Sequence, residues 1–295
     1  MLATRNIQCL LKHKQVKEGV RMGRKELAKE LPTAASVQAM GPKWQLYKDL
    51  VAGVPADATV LDMCVSGHWV YVEASCGTGM SMLVRGGQAG CRLMEDVEGM
   101  PLRDLAALSV SWHFLEASIG VAALNAWYSS VPQVQTCGVV YEQPGDPDIF
   151  TLYRSFMDGT KVTVVGHFPH IEQLGEFYDL TVLERDPHGA DTPDPACEYL
   201  VPSQDYLFMT GITLTNKTMP RLLQLAQEGD VPVLLVGPSV VPSPLFFDHG
   251  VVCMAGCVCP PEAADAVKRG IRRCAGLHPS EQGAKMMHII KPGWL

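Results

Sequence analysis

Hydrophobic and polar positions change their period along the chain, and the changes divide it. GPKWQLYKDLVAGVP (41–55) spaces Trp44, Tyr47, Leu50 and Val51 at helical intervals and stops at Gly53 and Pro55, which predicts one amphipathic helix. The period then shortens. ATVLDMCVSG, HWVYVEAS and GMSMLVRG predict three strands in an antiparallel meander, with turns at Gly67-His68 and at Cys76-Gly77-Thr78-Gly79. Two helices follow, PLRDLAALS and WHFLEASIGVAALNAWYSS; Phe114, Leu115, Ile119, Val121 and Leu124 make the second a largely buried one. A meander followed by helices predicts a small α+β unit.

The pattern alters again in TCGVVYEQPGDPDIF, where Pro144, Gly145 and Pro147 punctuate. Beyond it KVTVVG, DLTVLE, DYLFMTG, VPVLLVG and GVVCMAGCVC are continuous apolar runs, and IEQLGEF, MPRLLQLAQ and PPEAADAVKRGI are helical. Strands buried on both faces and separated by helices predict a parallel, doubly wound sheet. The chain thus reads as an N-terminal arm (1–40), an α+β domain (41–145) and an α/β domain (146–295).

Composition narrows the class. A chain of 295 residues with 47% hydrophobic content supports two cores. No apolar run approaches the roughly 20 residues of a membrane span, and MLATRNIQCLLKHKQ lacks the core of a secretory signal, so no membrane association and a cytoplasmic location are expected. Ten cysteines without a regular framework fit a reducing compartment. A net charge of −7 argues against nucleic-acid binding. Residues 1–30 nevertheless hold eight Lys/Arg against Glu18, Glu26 and Glu30, a solvated arm or a docking element for an acidic protein partner. Homo-oligomerisation stays open.

Ligands of such sheets bind beyond the carboxyl ends of the strands. Gly166 and His167 end the first strand, Glu184 the second, TGITLTNKT (210–218) the third, and Gly237 with Ser239 the fourth. Thr213, Thr215, Asn216 and Lys217 crowd the third turn. Thr215 or Asn216 is placed to cap the next helix, and the turn suits an anionic ligand. Glu184 stands where dinucleotide folds hold a ribose, but GHFPHI has one glycine where G-x-G-x-x-G needs three, so NAD is not expected and S-adenosylmethionine is less excluded. Asp191, Asp194 and Glu198, near Glu184, form a carboxylate-rich loop suited to a divalent cation or to acid–base work. Cys253, Cys257 and Cys259 share one strand face, as buried core thiols or as ligands of a soft heavy metal. Cys274, His278 and His288 in the tail are a looser set. In the first domain His68 and Gly77 mark turns, and Trp112 and Glu116 share a helix face. Glu116, Glu184 and Lys217 are the catalytic candidates; His68, Gly77, Trp112, Gly166, His167, Asp194, Thr213, Thr215, Asn216, Gly237 and Ser239 are the ligand-binding ones.

KVTVVGHFPHIEQL, the segment from LTVLERDPHGADTPDPACEYL to TGITLTNKTMPRLLQLA, and VPVLLVGPSVVPSPLFFDHGVVCMAGCV resemble the family of unknown function described as putative heavy-metal chelation. GHWVYVEASCGTGMS and PLRDLAALSVSWHFLEASIGVAALNAWYSS resemble the smaller domain that precedes it. The resemblance covers about residues 42–275 and implies an enolase-N-terminal-like domain packed on a Rossmann-like domain, with an active site between them. The basic arm and the fifth-strand thiols lie outside that pattern. The function expected is a small-molecule enzyme performing condensation, hydrolysis or group transfer on a pterin-, flavin- or metallophore-like compound. The alternative is a metal-binding or metal-delivery protein without turnover. Its cofactor is not specified by the sequence.

Overall fold

The computed structural model describes residues 31–88, 97–143, 145–273 and 278–294. The basic arm through residue 30 and Cys274 lie outside the described residues. Two short elements open the described chain: α1 (Ala34–Gln38), capped by Thr33, and a 3-10 turn over Pro42–Trp44. The turn leads into α2 (Gln45–Gly53), which buries Leu46, Tyr47, Leu50 and Val51 on one face.

Strands β1 (Val60–Ser66), β2 (Trp69–Ala74) and β3 (Gly77–Met82) form the expected antiparallel meander in that order. The second turn falls one step earlier than the glycines suggest. Gly77 and Gly79 lie within β3, because α4 (Phe114–Tyr128), which follows α3 (Leu102–Ala107), presses on the strand there. A Cβ on Gly79 would stand 2.1 Å from the Ala122 carbonyl and the Ala126 nitrogen, so these glycines serve close helix–strand approach rather than a turn. Alternation along the meander gives it two apolar faces. Val70, Val72 and Ala74 join the core beneath α4, and Cys64, Trp69, Tyr71 and Met80 face the other way.

The chain continues through α5 (Val131–Thr136), β4 (Val140–Tyr141), α6 (Ile149–Leu152) and α7 (Arg154–Met157). The second unit then alternates as expected. It runs through β5 (Lys161–Val165), β6 (Asp179–Glu184), β7 (Thr192–Pro193), α8 (Cys197–Leu200), β8 (Tyr206–Thr210), α9 (Ile212–Thr215), α10 (Met219–Glu228), β9 (Val233–Val236), β10 (Val251–Val258), α11 (Pro261–Arg272) and β11 (Lys285–Ile290). The eight strands are ordered β4-β11-β10-β9-β8-β5-β6-β7. Pairing is parallel from β10 to β7 and antiparallel for β11 and β4, so two strands the sequence reading did not include close one side of a mixed sheet. The core order β6-β5-β8-β9-β10 reverses direction between β5 and β8, and that reversal opens a crevice at their carboxyl ends.

The two units share a core. Cys257 and Cys259 at the end of β10, with Ala263, Val267 and Ile271 of α11, pack against the outer face of the meander. Lys268 ion-pairs with Asp62 at 2.6 Å and Glu73 at 2.7 Å, and Arg272 with Asp62 at 2.7 Å, along the rim of that interface. Tyr47 Oη donates to the Leu214 carbonyl at 2.7 Å, and the Met82 N–H donates to Ser239 Oγ at 2.9 Å. Among the described residues no helix is long and apolar enough to cross a membrane.

Two stability measurements check this packing. Gly79→Ala is expected to lower unfolding free energy by about 2–3 kcal/mol, as overpacking of a helix–strand contact does. Cys257→Ser and Cys259→Ser are each expected to lose ~1–3 kcal/mol in denaturant titrations, from burying an imperfectly satisfied hydroxyl. Metal content should be unchanged by either cysteine substitution.

Candidate functional site

The crevice is built by three strand ends. β5 runs into Gly166, whose φ of 105° turns the chain toward Thr210 at the end of β8; a Cβ there would touch Thr210 Cγ2 at 3.0 Å. Glu184, at the end of β6, accepts the N–H groups of His167 at 2.8 Å and of Arg185 at 2.7 Å. Its carboxylate therefore fixes the loops after β5 and β6 relative to one another. Beyond Thr210 the chain makes α9, then Asn216, Lys217 and Thr218 before α10. The cleft measures about 670 Å³, within the range of small-molecule sites.

Lys217 is the unusual group in its wall. Its backbone is left-handed at φ 73°, a conformation a non-glycine residue holds only where the surroundings enforce it. Its ammonium nitrogen donates to the Thr215 carbonyl at 2.6 Å. It lies 5.9, 6.0 and 5.9 Å from the ring centroids of Tyr47, Trp112 and Phe114, all supplied by the first unit. Ring faces favour the cation, but at this distance weakly, and loss of solvent dominates. Burial draws the Lys217 amine down from 10.5 to about 7.

His167 lines the same cleft. Its Nδ1 lies 3.0 Å from Asp191 Oδ2 and its Nε2 3.3 Å from Glu172. The hydrogen bond to Asp191 raises the imidazole above its ordinary value. Burial opposes ionisation of Asp191, but the His188 N–H and the His167 ring hold its carboxyl below the usual range. An oriented imidazole beside a carboxylate can hold or deliver a proton near neutral pH.

Seven of the expected positions meet in this cleft: Gly166, His167, Glu184, Asp194, Thr213, Asn216 and Lys217. The others are elsewhere. His68 is exposed on the β1–β2 turn, and Gly77 packs under Ser130. Glu116 is fully buried in α4, where Ser111 Oγ donates to it at 2.6 Å, so it does not face the cleft. Trp112 is outside the lining but beside Lys217, with 54% of its surface exposed. Neither Thr215 nor Asn216 caps α10, whose N-cap is Thr218 without a side-chain cap hydrogen bond. Thr215 is buried in α9, and Asn216 Oδ1 accepts the Thr218 N–H at 3.1 Å. Gly237 packs near Phe168 outside the cleft, and Ser239 is consumed by its bond to Met82.

Neither metal arrangement assembles. Cys253 belongs to the core under α6 and α7, whereas Cys257 and Cys259 lie against the meander, because residues along one strand face spread apart at about 6.6 Å per pair. Burial lifts all three thiols to about 12. In the acidic loop Asp191 serves His167, Asp194 meets Arg185 at 3.3 Å, and Glu198 meets Arg221 at 2.5 Å. Among the described residues no group of three His, Cys, Asp or Glu is placed to hold a metal ion. Sequence reasoning missed the aromatic wall of Tyr47 and Phe114 and the cleft positions of Arg185 and Arg221. Tyr47 carried only a core signal, since its partner lies 167 positions away.

Comparison with known proteins agrees with this architecture. A family described as "Putative heavy-metal chelation" (DUF364) matches residues 148–290, and a second with the same description (DUF4213) matches residues 47–128. A crystal structure of a DUF364-family protein of unknown function from Desulfitobacterium hafniense is similar at a TM-score of 0.77 and 30% identity, over 84% of this chain and 99% of that one. Another, from Pyrococcus horikoshii, shares the fold at a TM-score of 0.67 and 19% identity, over 84% of this chain and 98% of that one. An uncharacterized protein of Methanocaldococcus jannaschii is 30% identical over 161 residues, 52% of this chain; the chain spans 59% of that relative.

The state of Lys217 predicts a pH dependence. Between about pH 7 and 10.5 the unfolded chain binds more protons than the folded one, so the contribution is complete above 10.5 and lost as the pH falls to 7. Lys217→Met is expected to be more stable than the parent by roughly 2–4 kcal/mol at pH 6, where burying the cation is fully opposed. The difference should shrink toward pH 10, read from paired denaturant titrations.

Proposed function

The chain belongs to the DUF364 family, and we propose that its cleft binds a planar organic compound of pterin, flavin or metallophore type and acts on it by condensation, hydrolysis or group transfer. The observation that carries this reading is the 670 Å³ cleft at the β5–β8 reversal with a neutral-prone amine, Lys217, in its wall. Apolar side chains of Met82, Val165, Phe168, Leu183 and Ile212 supply surface for a flat ring, and Thr213, Asn216 and Lys217 supply donors at one end. The small unit, expected to be enolase-N-terminal-like, acts as the cover that desolvates this end of the cleft. The seven described cysteines are free thiols, in keeping with a cytoplasmic setting.

The heavy-metal description of the family fits this reading if the ion is handled through an organic chelator. The described carboxylates of the acidic loop are bound to protein partners, and direct metal delivery would need a donor set that the described residues do not assemble. Within this reading His167, oriented by Asp191, moves the proton, Asn216 and Lys217 engage the ligand, and Glu184 holds the loops in place.

Titration of the purified protein with flavin mononucleotide and with a reduced pterin, followed by ligand fluorescence, tests the reading. Binding is expected, and Asn216→Ala and Lys217→Ala should each weaken it by ~1–3 kcal/mol, about 5- to 150-fold, with both variants still folded. Absence of binding by either compound would remove this ligand class. Undiminished affinity in both variants would move the ligand out of the cleft.

A further inference from the structure

Imine formation between a lysine and a carbonyl compound requires an amine able to lose its proton, a proton donor within the site, and surroundings that limit competing water. Lys217 meets these conditions by position. Among the described residues no carboxylate ion-pairs with it, whereas Arg185, Arg221 and Lys268 each have an acidic partner. One N–H is committed to the Thr215 carbonyl, which fixes the nitrogen and leaves its lone pair for reaction once the amine is neutral. The left-handed backbone at φ 73° sets the side chain in the cleft wall, and the rings of Tyr47, Trp112 and Phe114 surround its nitrogen. His167 lines the same cleft with a carboxylate-held imidazole.

We infer that Lys217 is a covalent nucleophile, and that the cleft takes an aldehyde or ketone as an imine on this side chain. The inference deepens the cleft reading by naming the electrophile class, and it rests on that reading for its setting. In the step itself the Nζ lone pair forms the C–N bond while the carbonyl π pair moves to oxygen, which takes a proton from the His167 imidazolium or from solvent. The carbinolamine oxygen takes a second proton and leaves as water as the C=N bond forms, and the nitrogen gives up its displaced protons. Amine and carbonyl become imine and water with no change of oxidation state. An imine then stabilises a carbanion at the adjacent carbon, the activation that carbon–carbon condensation uses.

The full chain is incubated with glyoxylate, as the carbonyl probe, and sodium cyanoborohydride, and the modified lysines are located by peptide mass mapping at short times. Lys217 is expected to gain the reduced adduct at least ten-fold faster than Lys43, Lys161 and Lys285, and Lys217→Gln should leave only the slow surface labelling. Labelling of Lys217 no faster than these lysines overturns the inference. The reading is made on the parent protein, so it does not depend on the variant folding. The probe is unrelated to flavin or pterin, so the two failures are distinct. Fast Lys217 labelling without flavin or pterin binding upholds the amine and removes that ligand class. Flavin or pterin binding with slow labelling keeps the cleft and removes imine chemistry.

Discussion

The three-stranded meander has two apolar faces and one helix of its own to cover them. α4 covers one, and the other, carrying Cys64, Trp69, Tyr71 and Met80, is buried only when β10 and α11 of the large unit dock on it. Burial at roughly 25 cal/mol per Å² makes this contact favourable, beside the core that Tyr47 and Leu50 share with Leu214 and Val240, and a single face left open would expose two aromatic rings to water. The Lys268–Asp62–Glu73 pairs and the Arg272–Asp62 pair at the rim set register more than strength, since part-exposed pairs contribute little.

That docking decides the chemistry of the cleft. With the units together, Tyr47 bonds the Leu214 carbonyl, and the rings of Tyr47, Trp112 and Phe114 stand over the turn that ends β8. The rings displace solvent from Lys217, and desolvation is the cause of its lowered pKa. Glu116, the group the sequence offered as the small unit's catalytic contribution, is engaged inside α4 by Ser111.

Charge around the cleft is locally balanced. Glu184 is taken by backbone N–H groups, Asp191 by His167, Asp194 by Arg185 and Glu198 by Arg221. A loop that is acidic in composition is thus, among the described residues, a set of pairs in space. The fifth-strand thiols follow the same logic: one strand face holds all three, but the strand's rise carries Cys253 into a different core from Cys257 and Cys259.

Local pattern determined the elements, because side-chain period and turn chemistry act over a few residues. The meander, α4, the five parallel strands and the strand-end positions of Gly166 and Glu184 were legible that way. The tertiary structure alone decided the reversal between β5 and β8, the antiparallel strands β4 and β11, and the placing of Gly79 inside a strand, since each depends on a partner far along the chain. Which polar groups were free for a ligand and which were already paired was likewise settled in space. The state of Lys217 is the sharpest case: the sequence supplied an amine beyond a strand end, and rings about 100 to 170 positions away made it one that can lose its proton near neutral pH.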